Sequence, residues 1–264
     1  MVTIIVIAIN LRPAITVVGP LIESIRSDFA FSHGTAGLIT TLPLMAFAIF
    51  SPLAPKIGRR FGIEIVLFGG MVLLTIGIVM RSLHLMTTLF IGTCLIGIAI
   101  AVCNVLLPAL VKFKFPHKIG LFTGVYSAFM GLFAALGSGL SVPLAEGLGL
   151  GWRGSLACWS FLAVIAAVVW LPKFRSTGRT NDSQDEKFKL RKLWRSPLAW
   201  QVTFFMGLQS FVFYVTVAWL PEILHDKGFS VSTAGWMMSF MLLIGVPATF
   251  IMPLLADRRP DQRL

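Results

Sequence analysis

A positive charge interrupts the first apolar stretch of the chain. The run from Met1 to Ile22 carries Asn10, Arg12 and Pro13 near its middle and is otherwise composed of apolar and small residues. At roughly 1.5 Å per residue, the distance from Met1 to Arg12 along a helix is about 16 Å, near the centre of a hydrocarbon layer about 30 Å thick. A guanidinium at that depth keeps its proton, and its burial costs about 3 kcal/mol on insertion scales. The fold must therefore give Arg12 a protein interior or a water-filled cavity.

The residues after Arg12 continue its helical face. Pro13 lacks the amide hydrogen that would close a helical turn, so the helix is weakened there. Thr16, Gly19 and Glu23 follow at helical spacing and are expected to form a narrow polar stripe with Arg12. We interpret this stripe as the lining of a solute pathway, because charges within a membrane usually serve function. The structural alternative is that Arg12 pairs with a neighbouring backbone carbonyl and holds the bundle together.

The composition indicates an all-α integral membrane protein. Of the 264 residues, 56% are hydrophobic and 12% are charged, whereas about 25% of the residues in a soluble domain are charged. The formal net charge is +11, but the basic residues lie between apolar spans and not on one aromatic-rich face, so nucleic acid is not an expected partner. The expected partners are the lipid bilayer and a small-molecule solute, and the sequence does not specify an oligomeric state.

Motifs for catalysis or cofactor binding are not found in the sequence. Cys94, Cys103 and Cys158 lie in apolar stretches without metal-ligand spacing. The segment Gly149–Gly154 formally matches a dinucleotide-binding fingerprint, but no strand precedes it. No metalloprotease, serine hydrolase or P-loop pattern is present. We therefore predict that the protein is not an enzyme and has no catalytic residue, no metal site and no cofactor.

Eight uncharged runs are each long enough to cross a bilayer. Seventeen Lys and Arg residues lie on one set of connections, and only Arg26, Arg81, Arg153 and Lys227 lie on the other. By the positive-inside rule, this asymmetry predicts a multi-pass protein of the inner (plasma) membrane with a cytoplasmic N-terminus. After the first run, the spans lie within residues 29–55, 61–80, 82–111, 119–145, 154–172, 196–221 and 228–256.

A short motif that occurs twice indicates a duplicated bundle. Residues Phe31–Gly37 have the sequence FSHGTAG and residues Phe229–Gly235 have the sequence FSVSTAG, each before a proline-containing span that ends in a basic cluster. We expect a six-helix N-terminal bundle over residues 1–172, a cytoplasmic linker over 173–197 and the first two helices of a second bundle over 198–264. On this interpretation the chain is truncated, with eight transmembrane helices present of an expected twelve.

Two local patterns add detail to this architecture. In the linker, Leu190, Leu193 and Trp194 would share one helical face among basic residues, which fits either an interfacial helix or a simple basic tether. The fifth span is rich in small residues and is expected to pack closely against another helix. Its small residues include Gly120, Gly124, Ser127, Gly131, Gly137, Ser138 and Gly139.

Two loop motifs resemble the signature of the major facilitator superfamily. Residues 51–60 resemble the loop between the second and third spans of that family, with Pro55 in place of the usual aspartate, and residues 253–263 repeat the pattern. In the superfamily these loops latch the inner gate. With Pro55 in that position, Glu64 is the expected counter-charge for Arg59 or Arg60. The resemblance implies a gating role for Lys56, Gly58, Arg59, Arg60, Asp257 and Arg258.

Further motifs resemble the cyanate transporter and 2-nitroimidazole exporter family within this superfamily, nearer its nitroimidazole branch. They lie at residues 10–13, 19–22, 97–116 and 194–203, and the resemblance covers essentially the whole chain. It implies secondary active or facilitated transport of a small polar or anionic organic solute, cyanate-like or nitroimidazole-like, by alternating access. Thr93 stands where the superfamily's fourth span carries an arginine, so in this chain the buried charge has moved to Arg12.

The predicted substrate-binding residues are polar groups at membrane depth. Arg12 would supply a fixed positive charge, and Asn104 would hydrogen-bond a carbonyl, nitro or cyanate group; its alternative is an interhelical hydrogen bond worth about 0.6 kcal/mol. No carboxylate lies deep in a span, so uniport or exchange fits better than proton symport. The alternative function is a truncated, non-transporting membrane protein or assembly fragment. The predicted set is Arg12, Thr16, Asn104, Tyr126, Gln209 and Tyr214.

Overall fold

The computed structural model of the chain describes residues 2–171 and 196–258. The predicted interfacial helix at 190–194 lies outside these residues. The described part consists of helices joined by short connections, which confirms the all-α prediction. The helices are α1 Val2–Leu11, α2 Pro13–Thr16, α3 Val18–Phe29, α4 His33–Phe50, α5 Ala54–Phe61, α6 Ile63–Arg81, α7 Met86–Lys114, α8 Ile119–Val142 with a π-helical turn at Pro143–Gly147, α9 Gly151–Trp170, α10 Pro197–Asp226 and α11 Val231–Arg258.

Seven helices of the described part are long and apolar enough to cross a membrane, and the first span is a bent eighth candidate. Its two segments, Val2–Thr16 and Val18–Phe29, meet at an angle of 44°. Pro20 explains the bend, because it has no amide hydrogen to pair with the Thr16 carbonyl one turn earlier. The eight runs identified in the sequence thus correspond to the helices of the structure.

The repeated motif forms the same helix cap twice. Ser32 Oγ accepts a hydrogen bond from the Thr35 amide at the start of α4, and Ser230 Oγ accepts one from the Thr233 amide at the start of α11, both at 3.2 Å. In each cap the serine and threonine hydroxyls are also in contact, at 3.0 and 2.8 Å. A side-chain oxygen at this position satisfies an amide that the helix leaves unpaired. The internal repeat of the sequence is therefore also a repeat of local structure.

The small residues of α8 allow close packing against α11, as the sequence predicted. A Cβ atom added at Gly124 would lie 2.7 Å from the carbonyl oxygen of Phe250. Further along the same contact, the Ser239 hydroxyl donates to the Ala135 carbonyl at 2.7 Å. Since lipid is as apolar as the side chains, such backbone approach and interhelical hydrogen bonds are what hold membrane helices together.

The buried core lies between α1, α6, α7, α8 and α9. Ile7, Leu67, Ile100 and Ala163 belong to one cluster of buried side chains. The indole of Trp170, at the end of α9, donates to the Glu64 carbonyl at 2.8 Å and so ties α9 to the start of α6. This core holds α1 against α8 and α9 and thereby positions the residues that follow it.

Candidate functional site

Arg12 occupies the break between α1 and α2. The first helix ends at Leu11, and Arg12 is the N-cap residue of the short helix that begins at Pro13. The Arg12 carbonyl accepts hydrogen bonds from the amides of Ile15 and Thr16 at 3.0 and 3.1 Å, so the chain resumes a helical course at once. Its guanidinium carbon lies 4.6 Å from the centroid of the Phe213 ring of α10. The charge is therefore held against an aromatic face of the second block.

Two neighbouring contacts fix the position of this break. The Asn10 amide donates to the carbonyls of Val6 at 2.7 Å and Leu162 at 3.2 Å, which ties α1 to α9. On the other side, Gly137 of α8 lets α2 approach closely, because a Cβ atom there would lie 3.2 Å from Pro13 Cα. The backbone around Arg12 is thus held in position by its contacts with α8 and α9.

Arg12, Asn104 and Tyr126 line one open cavity of about 570 Å³. A cavity of this size is within the range that holds small-molecule ligands. Among the described residues that line it there is no carboxylate, and Arg12 is the only charged group. The lining consists of Arg12, Asn104, Leu107, Pro108, Tyr126, Ser127, Met130, Gly131, Met206, Thr249, Met252 and Pro253.

The cavity lies toward the end of the bundle that carries the basic clusters, here called the basic end. Its lining residues on α7 are 104–108, close to Lys112 and Lys114, and those on α11 are 249–253, in the last turns of that helix. At the basic end, Gly58 of α5 packs against Leu106, where a Cβ atom would lie 2.8 Å from the leucine side chain. The cavity therefore lies in the half of the bundle nearer the end where α5 contacts α7.

At the opposite end, the first span is closed against α10. A Cβ atom at Gly19 would lie 2.5 Å from the Val217 carbonyl oxygen, so α3 and α10 touch backbone to backbone. The His33 ring nitrogen Nδ1 is 3.1 Å from Oε1 of Glu222, which links α4 to α10. Arg26 contacts both His33, at 2.9 Å, and Glu23, at 2.8 Å. This network joins the two blocks at the end opposite the basic end.

The expected polar stripe from Arg12 through Thr16, Gly19 and Glu23 is wrong. Thr16 is buried, and its hydroxyl donates to the Ala134 carbonyl of α8 at 3.0 Å. Gly19 faces Val217 of α10, and Glu23 pairs with Arg26. The first span bends by 44° between Thr16 and Val18, so residues on the two sides of the bend contact different helices. Whether Thr16 binds solute stays a prediction.

Gln209 and Tyr214 of α10 occupy different environments. Gln209 is exposed and does not line the cavity. Tyr214 is half-buried, makes an edge contact with Phe47 at 6.3 Å between ring centroids and lines a separate small cavity nearer the opposite end. Their roles in solute binding stay predictions. Of the six predicted substrate-binding residues, Arg12, Asn104 and Tyr126 line the cavity of about 570 Å³.

The gating-loop residues lie at the basic end. Lys56 and Arg60 are exposed, and the Arg60 guanidinium carbon is 5.4 Å from the Phe61 ring centroid. Pro55 occupies the first turn of α5, where a helix leaves its amides unpaired and tolerates proline. The Glu64 carboxylate pairs with Lys114 of α7. The side chains of Asp257 and Arg258 lie outside the described residues, so the latch itself stays a prediction.

Sequence reasoning missed Arg81, which is the most deeply buried charged side chain of the described residues. It ends α6, is 2% exposed and donates through Nη1 to the Ala14 carbonyl at 2.7 Å. In the sequence Arg81 stands at the edge of an apolar run, where the span pattern predicts a connection residue. The preceding Gly77 and the facing Gly92, where a Cβ would lie 2.5 Å from the Arg81 amide nitrogen, are the signals of a tight contact here.

Comparison with known proteins decides the family. The sequence profile of the Major Facilitator Superfamily matches residues 4–264. The chain belongs to this superfamily. The family is the one that the loop motifs indicated, and it agrees with a multi-pass membrane protein.

Relatives within the superfamily confirm the nearer resemblance. The chain is 50% identical over 260 residues to the uncharacterized transporter YycB of Bacillus subtilis (strain 168) and 45% identical over 260 residues to the 2-nitroimidazole transporter of Escherichia coli (strain K12). These alignments cover 98% of this chain, which spans 64% and 66% of the length of the two relatives. The cyanate transport protein CynX of Escherichia coli (strain K12) is 26% identical over 268 residues, covering 98% of this chain and 67% of CynX. The nitroimidazole branch is thus the nearer one.

A solved transporter structure has a similar fold. The crystal structure of a D-xylose-proton symporter matches with a TM-score of 0.66 at 15% sequence identity, covering 97% of this chain and 69% of the symporter. At that identity the match shows the major-facilitator fold alone. The fold class predicted from the sequence, an α-helical bundle of this superfamily, is confirmed.

Proposed function

We propose that the protein carries a small polar or anionic organic solute across the plasma membrane by alternating access, with the solute bound beside Arg12. The observation that carries the proposal is that Arg12, Asn104 and Tyr126 line one open cavity of about 570 Å³. A membrane protein keeps a buried charge at a cost, so a cation that lines a ligand-sized space is expected to serve binding.

The chemistry of the cavity favours a planar or linear acceptor group. A guanidinium is a planar fork of N–H donors that binds two oxygens of one group at once. Asn104 adds an amide on the same cavity wall, and Met130, Met206 and Met252 supply adaptable apolar surface for an organic ring. Nitro and cyanate groups both present electron-rich acceptor atoms of this kind. The names of two relatives, a 2-nitroimidazole transporter and a cyanate transport protein, support the same solute class.

The cavity chemistry also favours uniport or exchange over proton symport. Among the described lining residues no side chain is an Asp, Glu or His that could pick up a proton together with the solute. The carboxylate of Glu222 lies instead in the network at the opposite end, beside His33. A solute gradient would therefore drive transport in this proposal.

The arrangement of the two ends matches one state of an alternating-access cycle. With a cytoplasmic N-terminus, the basic end faces the cytoplasm, so the cavity lies on the cytoplasmic side while α3 and α10 are in contact at the outer end. In the opposite state, the contacts of Gly19 with Val217 and of His33 with Glu222 would separate. Rocking of one helix block against the other around a fixed site is the usual motion of such carriers.

The test measures binding and flux of radiolabelled 2-nitroimidazole and of cyanate with the full-length protein in proteoliposomes. Arg12→Gln should weaken binding of the accepted solute about tenfold or more, because a charge-assisted hydrogen bond contributes roughly 1.5–3 kcal/mol. Arg12→Lys keeps the charge but loses the planar fork and should have an intermediate effect. Lys118→Gln, which removes an exposed cation between α7 and α8, should behave as wild type.

Two results would overturn the proposal. Unchanged affinity and rate in both Arg12 variants would remove Arg12 from the solute site. Flux no higher than in empty vesicles for every small polar or anionic probe would favour the alternative, a non-transporting membrane protein.

A further inference from the structure

Arg81 is a buried cation without a carboxylate partner in the described part of the chain. Its side chain is 2% exposed, and no carboxylate oxygen there lies within 4 Å of it. Its one hydrogen bond goes to the Ala14 carbonyl, while Nε is buried with no partner. The nearby carboxylates of the opposite end, Glu23 and Glu222, pair with Arg26 and His33.

This arrangement leaves a charge to be balanced. A guanidinium cannot lose its proton to become neutral, and one backbone carbonyl compensates only part of its lost hydration. An ion pair that loses one partner leaves a buried charge, which is strongly destabilising. A mobile counter-ion is the remaining way to neutralise Arg81, provided that the structure leaves room for one.

A small cavity adjoins Arg81. Its volume is about 20 Å³, and its wall includes Ala14, Thr40, Pro43, Tyr214 and Val217 beside Arg81, with no carboxylate. A space of roughly 10–15 Å³ by this measure holds one water-sized particle. The cavity is therefore too small for an organic ring and large enough for a monatomic ion.

We propose that this cavity binds a small monovalent inorganic anion of about the size of chloride, held by the Arg81 guanidinium. A water molecule would offer Arg81 only a dipole, whereas an anion offers a full opposite charge in a poorly hydrated space, where charge interactions are strong. The anion would contact α6 through Arg81 and α10 through Tyr214 and Val217. It therefore stabilises the closed outer end, where the two blocks meet. The site is separate from the Arg12 cavity, and the proposal does not depend on which solute is carried.

The test measures thermal unfolding of the detergent-purified full-length protein without organic solute. At constant ionic strength, chloride or bromide replaces gluconate, which is too large for the cavity. The unfolding midpoint should rise in a saturable way by roughly 2–4 °C at about tenfold excess over the dissociation constant. Arg81→Gln should abolish the rise. Arg153→Gln, which removes a partly exposed arginine at the start of α9, should retain it.

Several outcomes overturn the proposal. They are no difference between chloride and gluconate in the wild type, a rise that persists in Arg81→Gln, and a rise that is lost in Arg153→Gln. If Arg81→Gln fails to fold, bromide-soaked crystals of the wild type decide the question. An anomalous bromide peak beside the Arg81 guanidinium supports the site. The absence of an anomalous peak there, or a water molecule in that position, overturns it. Solute flux plays no part in these readouts, so the Arg12 proposal stands or falls separately.

Discussion

The Arg12 guanidinium carbon lies 4.6 Å from the centroid of the Phe213 ring, so the first span and α10 meet through a cation on an aromatic face. Such a contact is worth about 0.5–1 kcal/mol at exposed sites and about 2 kcal/mol when water is excluded. It holds the charge in place without using the N–H donors at the edge of the guanidinium plane. Those donors stay available for a solute, which makes Phe213 a positioning residue for Arg12.

Replacing Phe213 tests this role. Phe213→Leu should weaken solute binding about two- to fivefold, which corresponds to the loss of about 0.5–1 kcal/mol of cation–aromatic interaction. The measurement is the dissociation constant of the solute that the full-length protein accepts. Phe211→Leu is the matched control, because Phe211 lies on the same helix and is 67% exposed. Equal affinities for the two variants would show that the ring does not position Arg12.

Gly19 tests the closure of the outer end. Gly19→Ala places a Cβ atom 2.5 Å from the Val217 carbonyl oxygen, about 1 Å closer than ordinary contact, so α3 and α10 must separate. The outer end should then open more often. A cysteine introduced by Thr40→Cys, in a background without Cys94, Cys103 and Cys158, should react several-fold faster with a membrane-impermeant maleimide.

The control for Gly19→Ala is Gly207→Ala on α10, which has nothing within 4 Å of its added Cβ atom. This variant should leave the labelling rate of the introduced cysteine unchanged. If both glycine variants label at the wild-type rate, the α3–α10 contact does not limit access from the outer end.

The pair of Glu64 and Lys114 should contribute to stability at the basic end. Its side chains are 9% and 32% exposed, so Lys114→Met leaves a nearly buried carboxylate without its partner. Loss of one partner costs about 3–5 kcal/mol when a pair is fully buried, and the partial exposure of Lys114 lowers our expectation to about 1–3 kcal/mol. Denaturant or thermal unfolding in detergent measures the change.

Two further variants make this prediction specific. Lys112→Met removes an exposed cation from the same turn of α7 and should change stability little. Adding Glu64→Gln to Lys114→Met removes the orphaned charge and should restore part of the loss. A double variant as unstable as the single variant would show that the cost comes from lost packing of the lysine stem and not from charge.

Charge and hydrophobic run length were enough to predict the fold. Each span needs about 20 uncharged residues, a requirement that local sequence displays directly. The duplicated motif was equally visible, because Ser32 and Ser230 cap their helices through contacts within four residues of chain. Arg12 could be placed in a cavity from its depth alone, since a fixed charge in lipid is too costly to leave unsolvated.

Side-chain direction was harder to predict than depth. Helical spacing placed Thr16 on the face of Arg12, but the Thr16 hydroxyl bonds to Ala134 of α8 while the long Arg12 side chain reaches Phe213 of α10. Gln209 is polar at membrane depth, yet the rotation of α10 leaves it exposed. Arg81 was missed because an arginine at the end of an apolar run can point either out of the bundle or into it, and its place in the sequence is the same in both cases. Only tertiary packing distinguishes the two.

The contact between α8 and α11 restricts how the molecule can move. Gly124 lies against the backbone of Phe250, and the Ser239 hydroxyl is hydrogen-bonded to the Ala135 carbonyl. The two helices therefore cannot move closer together, and they cannot separate without breaking that hydrogen bond. They can still roll on one another, so this line behaves as a pivot. During a rocking step, the change in distance between two labels should then increase with their distance from this pivot. It should be smallest for labels on α8 and α11 and largest for labels on α4 and the far face of α10.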